Sequence, residues 1–346
     1  MGLATRMREL PVHDAIGTVL CHDITQIIPG QSKKALFRKG HVIRPEDVDP
    51  LLTVGKEHIY VFDLAEGLVH EEEAATRAAR AVAGPGIILG PPGEGKVTLS
   101  AAITGLLTVD ARRLMDFNGQ DELVLSTLHT NQMVHKGQNV AGVHITPLVM
   151  EEAALLREEG FAEHGPLIQV RPLRRASVGV VTTGSEVYGG RVKDAFGPVL
   201  TEKFARLGSS VARQMLVSDD LELTARAIMA EAELGAAFSV VSGGRSVDRG
   251  VRSPAGIRAA GAEIISYGAP VLPGAMFLLA YLGDIPVLGL PGCVMYFKHS
   301  VFDLVVPRLL AGDRLSRPDI AALGHGGYCS ACAECRFPAC AFGKGA

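Results

Sequence analysis

A glycine-rich loop carrying three arginines is the first place in the sequence where anion chemistry is expected. An apolar run leads into Ser242–Gly244, whose two glycines would let backbone N–H groups approach an anion closely. Arg245, Arg249 and Arg252 follow, and Asp248 is the one carboxylate among them. Guanidinium groups make strong, charge-assisted hydrogen bonds to phosphate. The loop therefore predicts a phosphate or oxyanion cradle, with an ordinary solvated loop as the alternative.

Two more loops of similar composition follow apolar runs. Thr183–Glu186 follows the run 177–182, and Pro291 and Gly292 follow the run 285–290. If the three runs are parallel strands of one sheet, the loops meet at its carboxyl edge, where such sheets bind ligands. Tight turns without a ligand are the alternative. The candidate cofactor-binding residues are Thr183, Gly184, Ser185, Glu186, Ser242, Gly243, Gly244, Ser246, Pro291 and Gly292.

Aspartates near these loops are the candidate catalytic groups. They are Asp194, Asp219, Asp220 and Asp248. Carboxylates in such a position could hold a magnesium ion. For Asp219 and Asp220 the alternative is a helix N-cap, and for Asp194 it is a surface turn.

Four cysteines near the end of the chain have the spacing C-x2-C-x2-C-x4-C. They are Cys329, Cys332, Cys335 and Cys340. Four thiolates can close a zinc tetrahedron, and the first three spacings match those of ferredoxins, which bind iron–sulfur clusters. The pattern predicts a metal-binding tail that holds zinc or an iron–sulfur cluster, with free thiols as the alternative.

The segment Gly90–Thr98, which reads GPPGEGKVT, nearly matches a nucleotide-binding P-loop. Val97 stands where the motif needs a hydroxyl for magnesium, and a P-loop must be followed by a helix. Here the alternation of Val97, Leu99, Ala101 and Ile103 predicts a strand instead. We therefore expect a turn, and Lys96 is not expected to bind ATP.

Composition limits the classes of protein that fit. The chain has 346 residues, is 47% hydrophobic and has a net charge of −3 without acidic or basic blocks, so neither nucleic acid nor a membrane surface is indicated. The start of the chain has no apolar signal-peptide core. The longest uncharged run, 268–283, is too short to span a membrane. A cytoplasmic protein is expected.

From Ser177 onward the sequence alternates between strand and helix patterns. That alternation predicts an α/β fold with a parallel, doubly wound sheet. A hairpin is expected around Gly283 and Asp284, and one long helix is expected through 295–312. The predicted domains are 1–172, a mixed α+β region; 173–312, the α/β domain; and 313–346, the cysteine-rich tail.

The loops, in their order and spacing, resemble the molybdopterin-binding domain of the MoeA, MogA and MoaB type. The matching stretches are Thr183–Val187, Gly190–Asp194, Asp219-Asp220, Ser242–Ser246 and Pro291-Gly292. Residues 11–25 and 39–62 are similar to the N-terminal part of molybdopterin molybdotransferases, so a MoeA-like branch is the nearest resemblance. The resemblance implies a three-layer α/β/α domain that binds molybdopterin or adenylyl-molybdopterin.

It also implies molybdate and magnesium as reactants, molybdoenzymes as acceptors, and a homo-oligomer. The chain departs from the family pattern at particular positions. Ser185 replaces an aspartate, Phe196 replaces an asparagine, and Gly250 and Val251 replace two carboxylates. Two hypotheses follow: a molybdotransferase-like protein of molybdenum cofactor biosynthesis, or a non-catalytic molybdopterin carrier or regulator with a metal-binding tail.

Overall fold

The computed structural model describes residues 7–28, 32–62, 67–243 and 253–345. The chain divides into two compact units. Unit 1 comprises residues 1–102, 109–128 and 136–169, and unit 2 comprises 103–108, 129–135 and 170–346. The three domains expected from the sequence stay a prediction, because a division into compact units does not define domain boundaries.

The first half of the chain is rich in short strands. They are β1 Met7–Pro11, β2 Val19–Leu20, β3 Ile24–Ile28, β4 Ser32–Phe37, β5 His58–Phe62, β6 Leu68–His70, β7 Ile87–Leu89, β8 Lys96–Ala101, β9 Gly105–Val109, β10 Leu123–Thr127, β11 Gln132–Val134, β12 Asn139–Ile145, β13 Val149–Glu151 and β14 Ile168–Arg171. The helices are α1 Val48–Thr53, α2 Glu71–Val82, α3 Ala111–Asn118 and α4 Glu152–Glu159. The sheets have the orders β1-β5-β2, β3-β4, β10-β12-β8-β7, β13-β6 and β11-β9-β14.

Hydrophobic periodicity explains the elements of unit 1. Val97, Leu99 and Ala101 alternate along β8 and are fully buried, so the predicted strand is confirmed as far as Ala101; the fourth predicted position, Ile103, lies beyond the end of β8. Helix α2 begins with three glutamates, which favour the positive end of the helix dipole. Its Arg77 donates to Glu152 and Glu159 of α4, which ties the two helices together.

Unit 2 contains the α/β sheet. Its elements are β15 Ser177–Thr183, α5 Ser185–Tyr188, α6 Phe196–Arg206, β16 Ser210–Val217, α7 Leu221–Glu233, β17 Phe238–Ser242, α8 Ser253–Ala259, β18 Glu263–Tyr267, β19 Leu278–Leu282, β20 Ile285–Leu290, α9 Cys293–Tyr296, α10 Val301–Leu310 and α11 Arg317–Ala322. The strand order is β16-β15-β17-β20-β19-β18. The predicted α/β class is confirmed.

The sheet is mixed rather than wholly parallel. Strands β16, β15, β17 and β20 are parallel, whereas β19 is antiparallel to both β20 and β18. The predicted hairpin at Gly283 and Asp284 is present between β19 and β20, and it is the cause of the reversal. Three of the four parallel strands, β15, β17 and β20, carry the predicted loops.

Helices cover both faces of this sheet. Val180 and Val240 point to one face and pack with Leu200, Phe204 and residues of α10. Their neighbours along the strands, Val181 and Val241, belong to a second core with residues of α7 and α8. This is the three-layer α/β/α arrangement.

The single long helix predicted near the end of unit 2 is wrong. The chain forms α9 and α10 instead, separated by Phe297–Ser300. Ser300 is fully buried and begins α10 with a capping box, in which Asp303 accepts from the Ser300 N–H. In the described part of the chain, no helix is long and apolar enough to cross a membrane.

Candidate functional site

The loops singled out from the sequence follow three strands that lie side by side. Strand β15 pairs with β17, and β17 pairs with β20, all in parallel, so their carboxyl ends share one edge of the sheet. Thr182 lies opposite Ser242, which in turn lies opposite Leu290. The hydroxyl of Thr183 donates to the Ser242 carbonyl over 3.3 Å. The three loops therefore begin side by side at one edge of the sheet.

The glycines at this edge differ in how much space surrounds them. A Cβ at Gly243 would lie 3.3 Å from the Ser253 Oγ, a close contact. A Cβ at Gly292 would meet no atom within 4 Å, and the backbone there (φ −54°, ψ −27°) suits any residue. Gly292 thus leaves open space at the edge without being needed for the turn.

A cavity of about 640 Å³ opens beside Gly243 and Gly292. None of the described residues that line it carries a charge. Its aromatic wall includes Tyr296 and Tyr328, which are 72% and 70% exposed. Exposed rings around an apolar cavity suit a flat ligand, because they can stack on it while remaining in contact with water.

A chain of polar side chains runs across the strand ends beside this cavity. The Gln214 amide donates to the Thr182 hydroxyl at 2.9 Å and to the Asp194 carboxylate at 2.7 Å. The Ser242 hydroxyl donates to the Thr182 hydroxyl at 3.2 Å. Gln214, on β16, was not predicted as a site residue; its polar side chain within a strand was the available signal.

Each predicted catalytic aspartate that the structure describes accepts a backbone N–H hydrogen bond; the donor is local for Asp194 and Asp220, whereas for Asp219 it lies in the loop after β15. Asp194 accepts from the N–H groups of Phe196 and Gly197 at the start of α6. Asp219 accepts from the Ser185 N–H at 3.0 Å. Asp220 caps α7 by accepting from the Leu223 N–H at 2.8 Å, so the N-cap alternative holds for Asp220.

Part of the predicted anion cradle lies outside the described residues. This applies to the cofactor-binding candidates Gly244 and Ser246, the catalytic candidate Asp248, and the arginines Arg245, Arg249 and Arg252. Their roles stay predictions. Of the other candidates, Gly243, Pro291 and Gly292 line the cavity. The remaining ones, at the end of β17 and from the end of β15 into α5, do not line it: Ser242, Thr183, Gly184, Ser185 and Glu186.

The cysteine tail is part of unit 2 and packs on its core. Phe342 is buried in the main core, and Phe337 stacks on His299 with ring centroids 4.4 Å apart. Cys329 lines the cavity, and Cys332 and Cys335 are exposed. Within the described ranges, no three His, Cys, Asp or Glu side chains are arranged to hold a metal ion. The zinc or iron–sulfur assignment stays a prediction.

A second thiol at the cavity was missed. Cys293 directly follows Gly292, lines the cavity, and has its pKa raised by burial. A raised pKa keeps the thiol protonated and lowers its reactivity. Tyr267 and Met276 also line the cavity, and nothing in their sequence context distinguished them from core residues.

The P-loop-like segment is a hairpin turn in unit 1. Gly93 and Lys96 exchange backbone hydrogen bonds, and Glu94 and Gly95 between them both have positive φ, 53° and 68°. This is the geometry of a type I′ turn. The strand β8 follows directly, so the expected strand is confirmed, and the turn does not lead into a helix as a P-loop does.

Comparison with protein families identifies part of the chain. Residues 179–311 match the family model described as "Probable molybdopterin binding domain", and residues 9–63 match one described as "Domain of unknown function (DUF8806)". No curated protein shows a significant match.

Several solved structures show a low similarity. The MoeA molybdopterin biosynthesis protein of Pyrococcus horikosii is 15% identical over 90% of this chain and 76% of that one, with a TM-score of 0.34. The tungsten cofactor synthesizing protein MoaB of Pyrococcus furiosus is 19% identical over 41% of this chain and 98% of that one, with a TM-score of 0.32. CinA of Thermoplasma acidophilum, described as of unknown function, is 19% identical over 34% and 89%, with a TM-score of 0.29. Similarity at these TM-scores is too small to bear on function.

Proposed function

We propose that the protein binds molybdopterin or adenylyl-molybdopterin and assists molybdenum insertion, because residues 179–311 match the family model described as "Probable molybdopterin binding domain". The observation that carries the proposal is the convergence of three glycine-bearing loops beside an apolar cavity of about 640 Å³. Glycine turns suit a phosphate, and the uncharged, aromatic cavity suits a flat pterin ring.

The two parts of the ligand would meet different residues. Backbone N–H groups near Gly243 and Gly292 would bind the phosphate, together with the arginines of the loop that follows Gly243. The pterin ring would lie in the cavity against Tyr296 and Tyr328. Molybdate would enter as a second anion, and magnesium would supply positive charge to both.

Insertion of molybdenum needs carboxylates that are free to bind magnesium. The aspartates Asp194, Asp219 and Asp220 already accept hydrogen bonds from backbone N–H groups, so their lone pairs are partly used. This observation favours the second candidate function, a carrier or regulator that binds the pterin without transferring metal to it.

A leucine at Gly292 tests the binding site. The Gly292→Leu side chain enters open space, so the fold should survive while the cavity entrance is blocked. Gly160→Leu is the matched control, since Gly160 has nearly the same backbone angles (φ −59°, ψ −19°), open space around its Cβ, and a place in unit 1. We expect Gly292→Leu to weaken anaerobic binding of molybdopterin, followed by pterin fluorescence, at least tenfold.

Equal binding by Gly292→Leu and Gly160→Leu would move the ligand away from this cavity. A second assay separates insertion from carriage. Molybdopterin, molybdate and magnesium are incubated with the protein, and the cofactor formed is measured by activation of a cofactor-free molybdoenzyme. Acceleration over the protein-free mixture supports insertion, whereas tight binding without acceleration supports the carrier.

A further inference from the structure

Unit 1 contains a second cavity, and its walls are charged. It has a volume of about 430 Å³ and lies where the β3–β4 hairpin, the start of α2, the β7–β8 turn and the end of β12 come together. The residues that line it include Asp23, Arg38, Lys39, Glu71, Glu94 and His144. The P-loop-like turn, which the proposed function does not use, supplies Glu94.

Glu71 lies at the base of this cavity as a buried carboxylate. The residue is only 7% exposed, and no hydrogen bond between described residues ends on its side chain. Its oxygens are not among the fully buried polar atoms that lack a partner, so they are accessible from the cavity that Glu71 lines. A buried carboxylate without a hydrogen-bond donor is costly, so a native protein normally provides a partner for it. The missing donor points to a ligand.

Two glycines make room for this carboxylate. A Cβ at Gly40 would lie 2.6 Å from one Glu71 oxygen, and a Cβ at Gly95 would lie 3.0 Å from the other. Both glycines have positive φ, +88° and +68°, so the turns that carry them are specific conformations. The carboxylate is therefore held between two turns, with the cavity on its remaining side.

The rim of the cavity carries both signs of charge. Arg38 and Glu94 form an ion pair with each other. The Asp23 carboxylate accepts from the Lys39 backbone N–H at 2.8 Å. The positive charge of the Lys39 side chain lowers the pKa of Glu71 and so partly opposes the effect of burial.

The mixed charges of the cavity walls do not suit a simple anion or a metal ion. An anion would face Asp23, Glu71 and Glu94, and like charges at short range repel. A divalent metal needs several ligands around one point, and no three such side chains are so arranged within 7–28, 32–62, 67–243 and 253–345. The volume is also larger than one metal ion requires.

We propose that this cavity binds a small organic zwitterion, whose ammonium or guanidinium group donates hydrogen bonds to Glu71 and whose acidic group lies near Lys39. Burial, helped by Glu72 and opposed by Lys39, raises the pKa of Glu71 to about 7. A bound cation favours the ionised carboxylate, so binding near pH 6.5 releases a proton.

Four related compounds test the proposal on the whole protein. The zwitterions 4-guanidinobutyrate and 4-aminobutyrate carry both groups, butylguanidine carries only the cation, and butyrate carries only the acid. Isothermal titration calorimetry at pH 6.5 should show at least one zwitterion binding at least tenfold more tightly than either half. Failure of both zwitterions to bind at 10 mM, or equal binding of a half, overturns the proposal, as does displacement of the zwitterion by magnesium chloride.

Variants identify the residue responsible. Glu71→Gln should weaken zwitterion binding at least tenfold and abolish proton release, which is measured by titration in buffers of different ionisation enthalpy. The proton readout separates Glu71 from His144, Asp23 and Glu94, which stay in place in this variant. Glu73→Gln, an exposed change on the same helix, should bind like the wild type.

If Glu71→Gln does not fold, Lys39→Ala gives the decisive comparison, because Lys39 is exposed. Its affinity for the zwitterion should fall to that for butylguanidine. Unchanged zwitterion binding in either folded variant shows that the ligand lies elsewhere.

Discussion

Two proline- and glycine-containing turns of this protein have similar compositions and different surroundings. Gly90–Gly95 in unit 1 joins two antiparallel strands through a type I′ turn. Pro291 and Gly292 in unit 2 follow a parallel strand and lead into α9 at a cavity. In the first turn the glycines are followed by a strand, and their backbone groups pair within the hairpin. In the second they are followed by a helix, and the turn opens on a cavity.

The two cavities differ in the same way. The cavity beside Gly292 has no charged side chain among its described lining residues, whereas the cavity beside Gly95 has carboxylates, lysine and arginine. The P-loop-like sequence therefore lies beside the charged cavity, where a buried carboxylate would repel phosphate. Glycine content alone does not distinguish these two surroundings.

The largest expected difference between the turns is in stability. Gly95→Leu forces a side chain into positive φ and within 2.9 Å of the Ile145 carbonyl, so it should lower the free energy of unfolding by about 3 kcal/mol or more. Gly292→Leu should change it by less than about 0.5 kcal/mol. Urea unfolding followed by circular dichroism measures both. Equal losses would mean that Gly292 is also a structural glycine, and the comparison would fail.

The second largest expected effect is a pH dependence of the free energy of unfolding, caused by two glutamates of unit 1. Burial raises the pKa values of Glu71 and Glu158 from 4.5 to about 7, and one oxygen of Glu158 has no partner among the described residues. The folded state therefore keeps protons that the unfolded chain releases, and the free energy of unfolding falls as pH rises from 4.5 to 7. We expect each group to contribute about 2 kcal/mol to this fall.

Glutamine substitutions check that assignment. Glu71→Gln and Glu158→Gln should each flatten the pH profile of the urea midpoint, and Glu73→Gln, which changes an exposed carboxylate, should leave it as in the wild type. A profile that stays steep in the double variant would place the titrating groups elsewhere in the chain.

A smaller effect separates structure from catalysis at Asp220. Asp220→Ala removes the N-cap of α7 and should cost about 1 kcal/mol, whereas Asp220→Ser keeps a capping oxygen and should cost a few tenths of that. Asp110, the N-cap of α3 in unit 1, provides the control, and Asp110→Ala should cost about as much as Asp220→Ala. If Asp220→Ser keeps stability and still loses cofactor formation, Asp220 takes part in the chemistry.

The smallest expected effect is at Lys96. This side chain is exposed at the start of β8, and the turn before it leads into a strand rather than a helix, so Lys96→Ala should leave both stability and ATP binding as they are in the wild type. Equilibrium dialysis with labelled ATP measures the binding. Loss of ATP binding in a folded Lys96→Ala protein would show that the segment Gly90–Thr98 binds ATP as a P-loop does.

Local patterns in the sequence predicted most elements but not their long-range partners. Alternating residues predicted β8, and the apolar runs before Gly184 and Gly243 predicted adjacent parallel strands. The break between α9 and α10 was missed, although Ser300 and Asp303 have the spacing of a capping box. A helix start inside an apolar region is easily read as a continuous helix.

The candidate site was predictable where its residues are part of a turn and not where they come from distant segments. Gly243 and Gly292 follow strands and were identified. Tyr328 was not, because only the folding of the tail brings it to the cavity. Glu71 was likewise missed, since its sequence context, three glutamates at a helix start, is typical of an exposed helix end.

The division of the chain into units has a consequence for its synthesis. The chain passes between the units after residues 102, 108, 128, 135 and 169. Strand β9 belongs to a sheet completed by β14, about 60 residues later, so at roughly 10 residues per second a ribosome exposes β9 for about 6 s before that partner exists. Unit 2 therefore begins as fragments inside the sequence of unit 1, and neither unit can be produced whole by cutting the gene at a single point.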